Sequence, residues 1–132
     1  MVNQEEINQG IEKERKNLET FLDERRLNLR DLSDLLGSNY NMFLTQLSLM
    51  KYYIDHAKNL AKDTKDIEKV GNILGAGAKR QKDMVYSIML KSGFNPFKTI
   101  KGGYAEALIN YVRNKYEFGV SECTNLLEGV KI

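Results

Sequence analysis

Cysteine, proline, histidine and tryptophan are nearly missing from this chain of 132 residues. It contains one Cys, one Pro, one His and no Trp. A single Cys cannot form a disulfide within the chain, and a lone His without clustered Cys does not provide the usual set of metal ligands. We therefore expect no disulfide, no metal and no other cofactor. A reducing compartment follows, which predicts a cytoplasmic protein, or one in the host cytoplasm if the protein is viral.

A long apolar run is also missing. The near-apolar stretch at 84–90 is far shorter than the roughly 20 residues that a membrane-spanning helix needs. The first nine residues are polar and acidic, whereas a secretion signal has a basic start followed by an apolar run. The sequence therefore predicts a soluble protein that has no membrane partner.

No catalytic motif is recognisable. His56 follows Asp55 without a recognisable set of convergent partners, and Cys123 is distant from this His in sequence. General acid–base and nucleophilic catalysis both need a second, positioned group. The glycine-rich stretch 71–79 lacks the GxxxxGK[ST] order of a phosphate loop, so its small residues are better explained by close helix packing. We predict that the protein is not an enzyme and has no catalytic residues.

Helical periodicity is the strongest pattern that the chain does have. Apolar residues recur every three or four positions through most of the sequence. The predicted helices cover about 4–26, 29–36, 40–62, 67–74, 85–91 and 104–117, with a final turn that begins at Ser121. Three glycines weaken the pattern near 75–78 and predict a helix break there or close packing against another helix. Gly37 and Gly93 are expected just beyond helix ends, and 94–103 is expected to be a loop.

These elements predict an all-α fold, a compact bundle or orthogonal array of about six to seven helices. One helical domain is expected to cover 1–132, since this length is that of an ordinary domain. The residues predicted to be buried lie on apolar helix stripes and are Leu47, Ile54, Val85, Ile88, Leu108 and Val112.

Charge is distributed unevenly along the chain. Residues 1–36, which include the acidic N-terminal helix 4–26, carry six basic and nine acidic side chains. The C-terminal half is basic, and residues 79–115 carry eight basic side chains against two acidic ones, although the whole chain has a net charge of only +2. Aromatic residues are interspersed in this segment, namely Tyr86, Phe94, Phe97, Tyr104 and Tyr111.

Basic side chains neutralise phosphates, and aromatic faces stack on unpaired bases. The segment therefore predicts one exposed electropositive face that contacts nucleic-acid phosphates. Its predicted binding residues are Lys79, Arg80, Lys82, Lys98, Lys101, Arg113 and Lys115. The alternative explanation is structural: aromatics at helical spacing usually belong to a core, and lysine-rich helix faces are usually only solvated.

A short helix that ends at Gly37, followed by a helix with Thr45-Gln46 near its start, resembles the helix-turn-helix of Cro-type phage repressors. The resemblance covers about a quarter of the chain, and the sequence departs from that pattern at Ser38 and by one extra residue in the turn. It implies that Leu32, Leu36 and Leu47 are core residues. It also implies that Asn41, Thr45 and Gln46 face a major groove.

In size and helical character, with a basic face, the chain is also similar to the small subunits of CRISPR effector complexes, which line a nucleic-acid path without reading sequence.

Two classes of function follow from these patterns. The first is a non-catalytic nucleic-acid-binding protein, either a small ribonucleoprotein subunit or a DNA-binding regulator. The alternative is a viral or mobile-element coat protein, or an adaptor or inhibitor, that acts through protein–protein contacts or as a homo-oligomer.

Overall fold

The structure, a computed structural model, describes residues 3–63, 66–94 and 103–128, and all of its regular structure in these ranges is helical. The helices are α1 (Gln4–Asp23), α2 (Leu29–Leu36), α3 (Tyr40–Asp63), α4 (Ile67–Asn72), α5 (Arg80–Lys91) and α6 (Gly103–Glu128). A 3₁₀ turn, Gly37–Asn39, precedes α3, and a π-helical segment, Ile73–Lys79, joins α4 to α5.

The all-α prediction is confirmed, but the predicted number of helices is wrong. Within the described residues there are four long helices: α1, α3, the continuous helix 67–91 that α4 and α5 form, and α6. α2 adds two turns between the first two of them. The excess in the prediction came from dividing two of the long helices at positions where their periodicity weakens.

Polar caps fix where α1 and α2 begin. The side chain of Asn3 accepts a hydrogen bond from the backbone N–H of Glu6 at 2.8 Å, and Asn28 accepts one from Asp31 N–H at the same distance. Such caps satisfy N–H groups that the first helical turn leaves without partners. α2 ends at Leu36, where Gly37 takes a positive φ of 57°, as its sequence position predicted.

The glycine-rich stretch does not break the helix. Backbone angles stay helical from α4 into α5, and the glycine-rich residues between them form a π-helical segment instead of a break. Gly77 lies directly against Tyr53 of α3, because a Cβ added there would be 2.6 Å from the Tyr53 Cδ1 atom. The predicted break is therefore wrong, and the alternative prediction of close helix packing is confirmed at Gly77.

α6 continues past the predicted end near 117, so Ser121 lies within this helix instead of capping a separate turn. Packing against α3 explains this continuity. A Cβ on Gly119 would lie 2.5 Å from Ile54 Cγ2, and Cys123 is fully buried in a small cluster with Ala57 and Ala61. Tertiary contacts therefore stabilise turns that the sequence pattern alone assigned to separate elements.

α3 is the central helix and packs against α1, the π-helical segment, α5 and α6. The helix 67–91 runs antiparallel to it, since Gly77 meets Tyr53 and the Asn39 side-chain amide donates to Ser92 Oγ at 3.2 Å. α6 runs parallel to α3. The six residues predicted to be buried are all at most 5% exposed, which confirms that prediction for Leu47, Ile54, Val85, Ile88, Leu108 and Val112.

Candidate nucleic-acid interface

Lys82 links α5 to α6 through two tyrosine rings. Its Nζ lies 4.3 Å from the ring centroid of Tyr116 and 5.6 Å from that of Tyr86. Both distances are within the range of a cation–π interaction. The contact joins two helices that the chain separates with the segment 95–102, which lies outside the described residues.

Further basic residues lie one helical turn from this contact. Lys79 precedes Lys82 by three positions, and Arg113 precedes Tyr116 by three positions, so each pair shares a helix face. Both Lys79 and Arg113 are exposed. We define the Lys82 cluster as Lys79, Lys82, Tyr86, Arg113 and Tyr116. It comprises three cations and two rings, which belong to the helix 67–91 and to α6.

The electrostatics of the cluster are basic but not uniform. Asp83 follows Lys82 and is exposed. Burial raises the pKa of the Tyr116 hydroxyl, and the negative charge of Asp83 raises it further. Tyr116 therefore stays neutral at physiological pH and contributes its ring face and a hydroxyl group, while the positive charge comes from Lys79, Lys82 and Arg113.

The other predicted binding residues are placed differently. Arg80 is exposed but lies two positions from Lys82, which puts it about 200° around the helix, on another face. Lys98 and Lys101 lie outside the described residues. Lys79 and Arg113 each lie one helical turn from the contact between Lys82 and Tyr116, whereas Arg80 lies on another face of its helix.

Lys115 belongs to a buried network on the opposite side of α6. Its Nζ donates to Glu14 Oε2 at 2.7 Å, and the Tyr111 hydroxyl donates to the same oxygen at 2.6 Å. The side chain of Lys115 is 17% exposed and that of Glu14 only 3%. The prediction that Lys115 is exposed is wrong, because α1 supplies a carboxylate that the local pattern of α6 could not reveal.

Most aromatic residues of the basic segment are core residues. Phe94 and Tyr111 are buried. Tyr104 is half-buried, and its hydroxyl accepts from Asn28 N–H at 3.1 Å and donates to Asp31 at 3.4 Å. Of the aromatic residues named in the basic segment, Tyr86 belongs to the Lys82 cluster, and Phe97 is outside the described residues. Tyr116, which the sequence analysis missed, lies one residue past the segment, and its spacing from Arg113 was the available signal.

The residues singled out by the helix-turn-helix resemblance are only partly presented to solvent. Leu32, Leu36 and Leu47 are buried, as that resemblance implied. Asn41 is exposed, and its carbonyl accepts from the Thr45 hydroxyl at 2.8 Å. Gln46 is half-buried with its Oε1 enclosed. A recognition helix presents one side to the groove, whereas α3 is packed by α1, α5 and α6.

His56 and Cys123 occupy separate environments. His56 is exposed and stacks against Tyr52 at a centroid distance of 6.4 Å. Cys123 is buried, with its Sγ 4.0 Å from the carbonyl oxygen of Ile54, and burial raises the pKa of its thiol. Across residues 3–63, 66–94 and 103–128, no three His, Cys, Asp or Glu side chains group in a way that could hold a metal ion.

Comparison of the chain with protein-family models, curated proteins and solved structures found no match. In the part of the chain that the structure describes, none of the helices combines the length and apolar character needed to cross a membrane. The Lys82 cluster, with its three cations and two aromatic rings, is therefore the feature of the described surface that bears most directly on function.

Proposed function

We propose that this protein is a non-catalytic nucleic-acid-binding protein whose Lys82 cluster contacts phosphates. The observation that carries the proposal is the position of Lys82 between Tyr86 and Tyr116. The contact brings together two helices that are distant in sequence, and we infer that Lys79 and Arg113, one turn away on either helix, lie on the same surface as Lys82. Adjacent cations on rigid helices suit a chain of phosphates, because each neutralised phosphate releases condensed counterions.

The position of α3 favours backbone contact over base readout. Gln46, one of the three residues that a helix-turn-helix would direct at base edges, has its side-chain oxygen enclosed. Phosphate contacts position a protein on nucleic acid without reading sequence, whereas base-edge contacts supply specificity. We therefore favour a small subunit of a ribonucleoprotein over a sequence-reading DNA regulator.

The experiment is a titration of single-stranded DNA, duplex DNA and RNA at several salt concentrations. The test variant carries Lys79→Gln, Lys82→Gln and Arg113→Gln. We expect it to bind more weakly to all sequences, with the slope of log K against log salt reduced by roughly two to three units for three lost phosphate contacts.

A matched control removes the same number and type of charges elsewhere. Lys16→Gln, Arg30→Gln and Lys62→Gln affect exposed residues of α1, α2 and α3. Its slope should stay near that of the wild-type protein. The proposal is wrong if the wild-type protein binds none of the three nucleic acids, or if the folded test variant binds them like the control.

The second candidate function is a coat, adaptor or inhibitor role through protein contacts. Phe118 favours it, because this aromatic side chain on α6 is 68% exposed. Aromatic residues are enriched in protein interfaces. Light scattering over a range of protein concentrations distinguishes the candidates. A discrete large particle that forms without nucleic acid, and that Phe118→Ser abolishes, supports the second one.

A further inference from the structure

Two methionines of the described residues have exposed side chains. Met42 on α3 is 55% exposed, and Met84 on α5 is 39% exposed. Met50 and Met89, which belong to the same two helices, are fully buried. Large apolar side chains that stay exposed close to one another are typical of a surface that a partner covers. The position of Met42 relative to Met84 therefore has to be established.

The contact between Asn39 and Ser92 gives that position along the helices. The Asn39 side-chain amide donates to Ser92 Oγ at 3.2 Å, where the start of α3 meets the end of α5. Met42 follows Asn39 by three positions, and Met84 precedes Ser92 by eight. Since the two helices are antiparallel and rise about 1.5 Å per residue, the two methionines are roughly 7.5 Å apart along the helix axes.

The contact between Gly77 and Tyr53 shows which stripes of the two helices face each other. Met84 lies two turns after Gly77, and Met42 lies three turns before Tyr53, so each methionine shares the stripe of a contact residue. Half-buried Leu49 lies between Met42 and Tyr53 at the same helical spacing. The exposure of both methionines puts them at the solvent side of this contact. We define the methionine seam as Met42, Leu49, Tyr53 and Met84.

The edge of the methionine seam on α5 is basic. Arg80 precedes Met84 by one turn and Lys91 follows it by two turns, so both share its helix face, and both are exposed. No carboxylate of the described residues forms an ion pair with either of them. Asp83, the acidic residue of α5, lies about 100° around the helix from Met84. The two cations at this edge are therefore not neutralised by their own helix face.

We propose that the methionine seam binds an amphipathic helix of a partner protein, and that the flanks of this helix are acidic. Two packed helices leave a groove between them, and an amphipathic helix fills such a groove with apolar side chains spaced three and four positions apart. Unbranched methionine side chains adapt to the shape of what they contact. Carboxylates on the flank of the bound helix pair with Arg80 and Lys91, so charge complementarity selects the partner.

The proposed site is separate from the Lys82 cluster. Lys82 precedes Met84 by two positions, which places it about 200° around the helix. One side of α5 then contacts phosphates and the other contacts a protein, so the inference goes beyond the proposed nucleic-acid function and does not depend on it. An extended peptide fits less well, because it pairs with a strand edge and the described residues contain no strand.

The test is a nuclear magnetic resonance titration of protein with isotope-labelled methionine methyl groups. The probes are two synthetic peptides of roughly five helical turns with leucines at the same amphipathic positions. One peptide has glutamates at its flanks and the other has lysines. We expect the glutamate peptide to shift the Met42 and Met84 signals saturably, while the signals of buried Met50 and Met89 serve as internal controls and stay in place. The lysine peptide should bind about 10-fold more weakly.

Two sets of variants test the apolar and the charged parts of the site separately. Met84→Ser should weaken binding of the glutamate peptide about 10-fold. Leu90→Ser is its matched control, because Leu90 is 45% exposed on the same helix but lies about 120° from Met84. Arg80→Glu combined with Lys91→Glu should reverse the preference, so that the lysine peptide binds more tightly than the glutamate peptide.

The proposal is overturned if the glutamate peptide gives no saturable shift of the Met42 and Met84 signals, or if the two peptides bind equally well. It is also overturned if Met84→Ser binds the glutamate peptide as tightly as Leu90→Ser does. A third contrary result is a shift of the two signals with protein concentration alone, together with a dimer in sedimentation. In that case a second copy of this chain covers the methionine seam, and the acidic helix is the wrong occupant.

Discussion

Two lysine–tyrosine contacts involving α6 use the same residue types in opposite ways. Lys115 lies 5.0 Å from the ring centroid of Tyr111 and donates to the buried carboxylate of Glu14. Lys82 lies 4.3 Å from the ring centroid of Tyr116, and no carboxylate of the described residues forms an ion pair with it. Both lysines are half-buried, but only the first faces a buried carboxylate, which gives it a structural role. The charge of the second is the one that we propose a ligand contacts.

The largest expected difference concerns the free energy of unfolding after each lysine is removed. Lys115→Met leaves the Glu14 carboxylate buried with Tyr111 as its remaining partner, which we expect to cost about 3–5 kcal/mol. Urea denaturation followed by circular dichroism measures the change. If Lys115→Met is as stable as the wild-type protein, the network around Glu14 has no structural role and the comparison fails.

The packing beneath the Lys82 cluster gives the next largest effect. Gly77→Ala places a methyl group against the Tyr53 ring and should destabilise the fold by about 1–3 kcal/mol. Gly75→Ala is the matched control, because nothing lies within 4 Å of a Cβ there, and it should stabilise the helix by up to about 1 kcal/mol. The same denaturation experiment compares them. If Gly77→Ala changes the free energy of unfolding in the same direction and by the same amount as Gly75→Ala, then α3 does not pack closely against Gly77.

Tyr111 and Tyr116 should differ in how strongly they make the free energy of unfolding depend on alkaline pH. Burial raises the pKa of Tyr111, and the Glu14 charge raises it further. A tyrosine whose pKa is raised in the folded state keeps its proton when the unfolded chain loses it near pH 10, so stability falls as pH rises above about 10. For this residue the slope approaches about 1.4 kcal/mol per pH unit.

The measurement is urea denaturation from about pH 9 to about pH 11, since free tyrosine titrates near 10. Tyr111→Phe should show a shallower loss of stability than the wild-type protein over this range. Tyr116→Phe should change the slope less, because Tyr116 is only partly buried. Identical slopes in Tyr111→Phe and Tyr116→Phe would contradict the assignment of Tyr111 to a buried network.

The smallest effect is expected at Lys82. Lys82→Met keeps the length of the side chain and loses a half-buried cation–π contact, which should cost about 1 kcal/mol. Its effect should appear instead in nucleic-acid affinity. Thermal denaturation in parallel with a binding titration separates the two. A loss of stability as large as that of Lys115→Met would make Lys82 a structural residue too.

The helical class, the apolar core stripes and several helix ends could be predicted from the amino-acid sequence. These features depend on residues near one another in the chain: apolar spacing placed Leu47, Ile54 and Leu108 in the core, and glycine at position 37 permitted the positive φ that ends α2. Local spacing also predicted a basic segment, of which Lys79, Lys82 and Arg113 form the proposed phosphate-binding part.

Long-range packing sets how many helices there are among the described residues and which side chain each of Lys82 and Lys115 contacts. The turns around Gly77 and Ser121 remain helical because α3 packs against them, and helix propensity alone does not include that contact. Likewise, Lys115 is engaged by Glu14, about a hundred positions away, while Lys82 meets Tyr116 across two helices. Partners at such separations are set by chain packing, because periodicity specifies the face of one helix and not the residue that another helix brings to it.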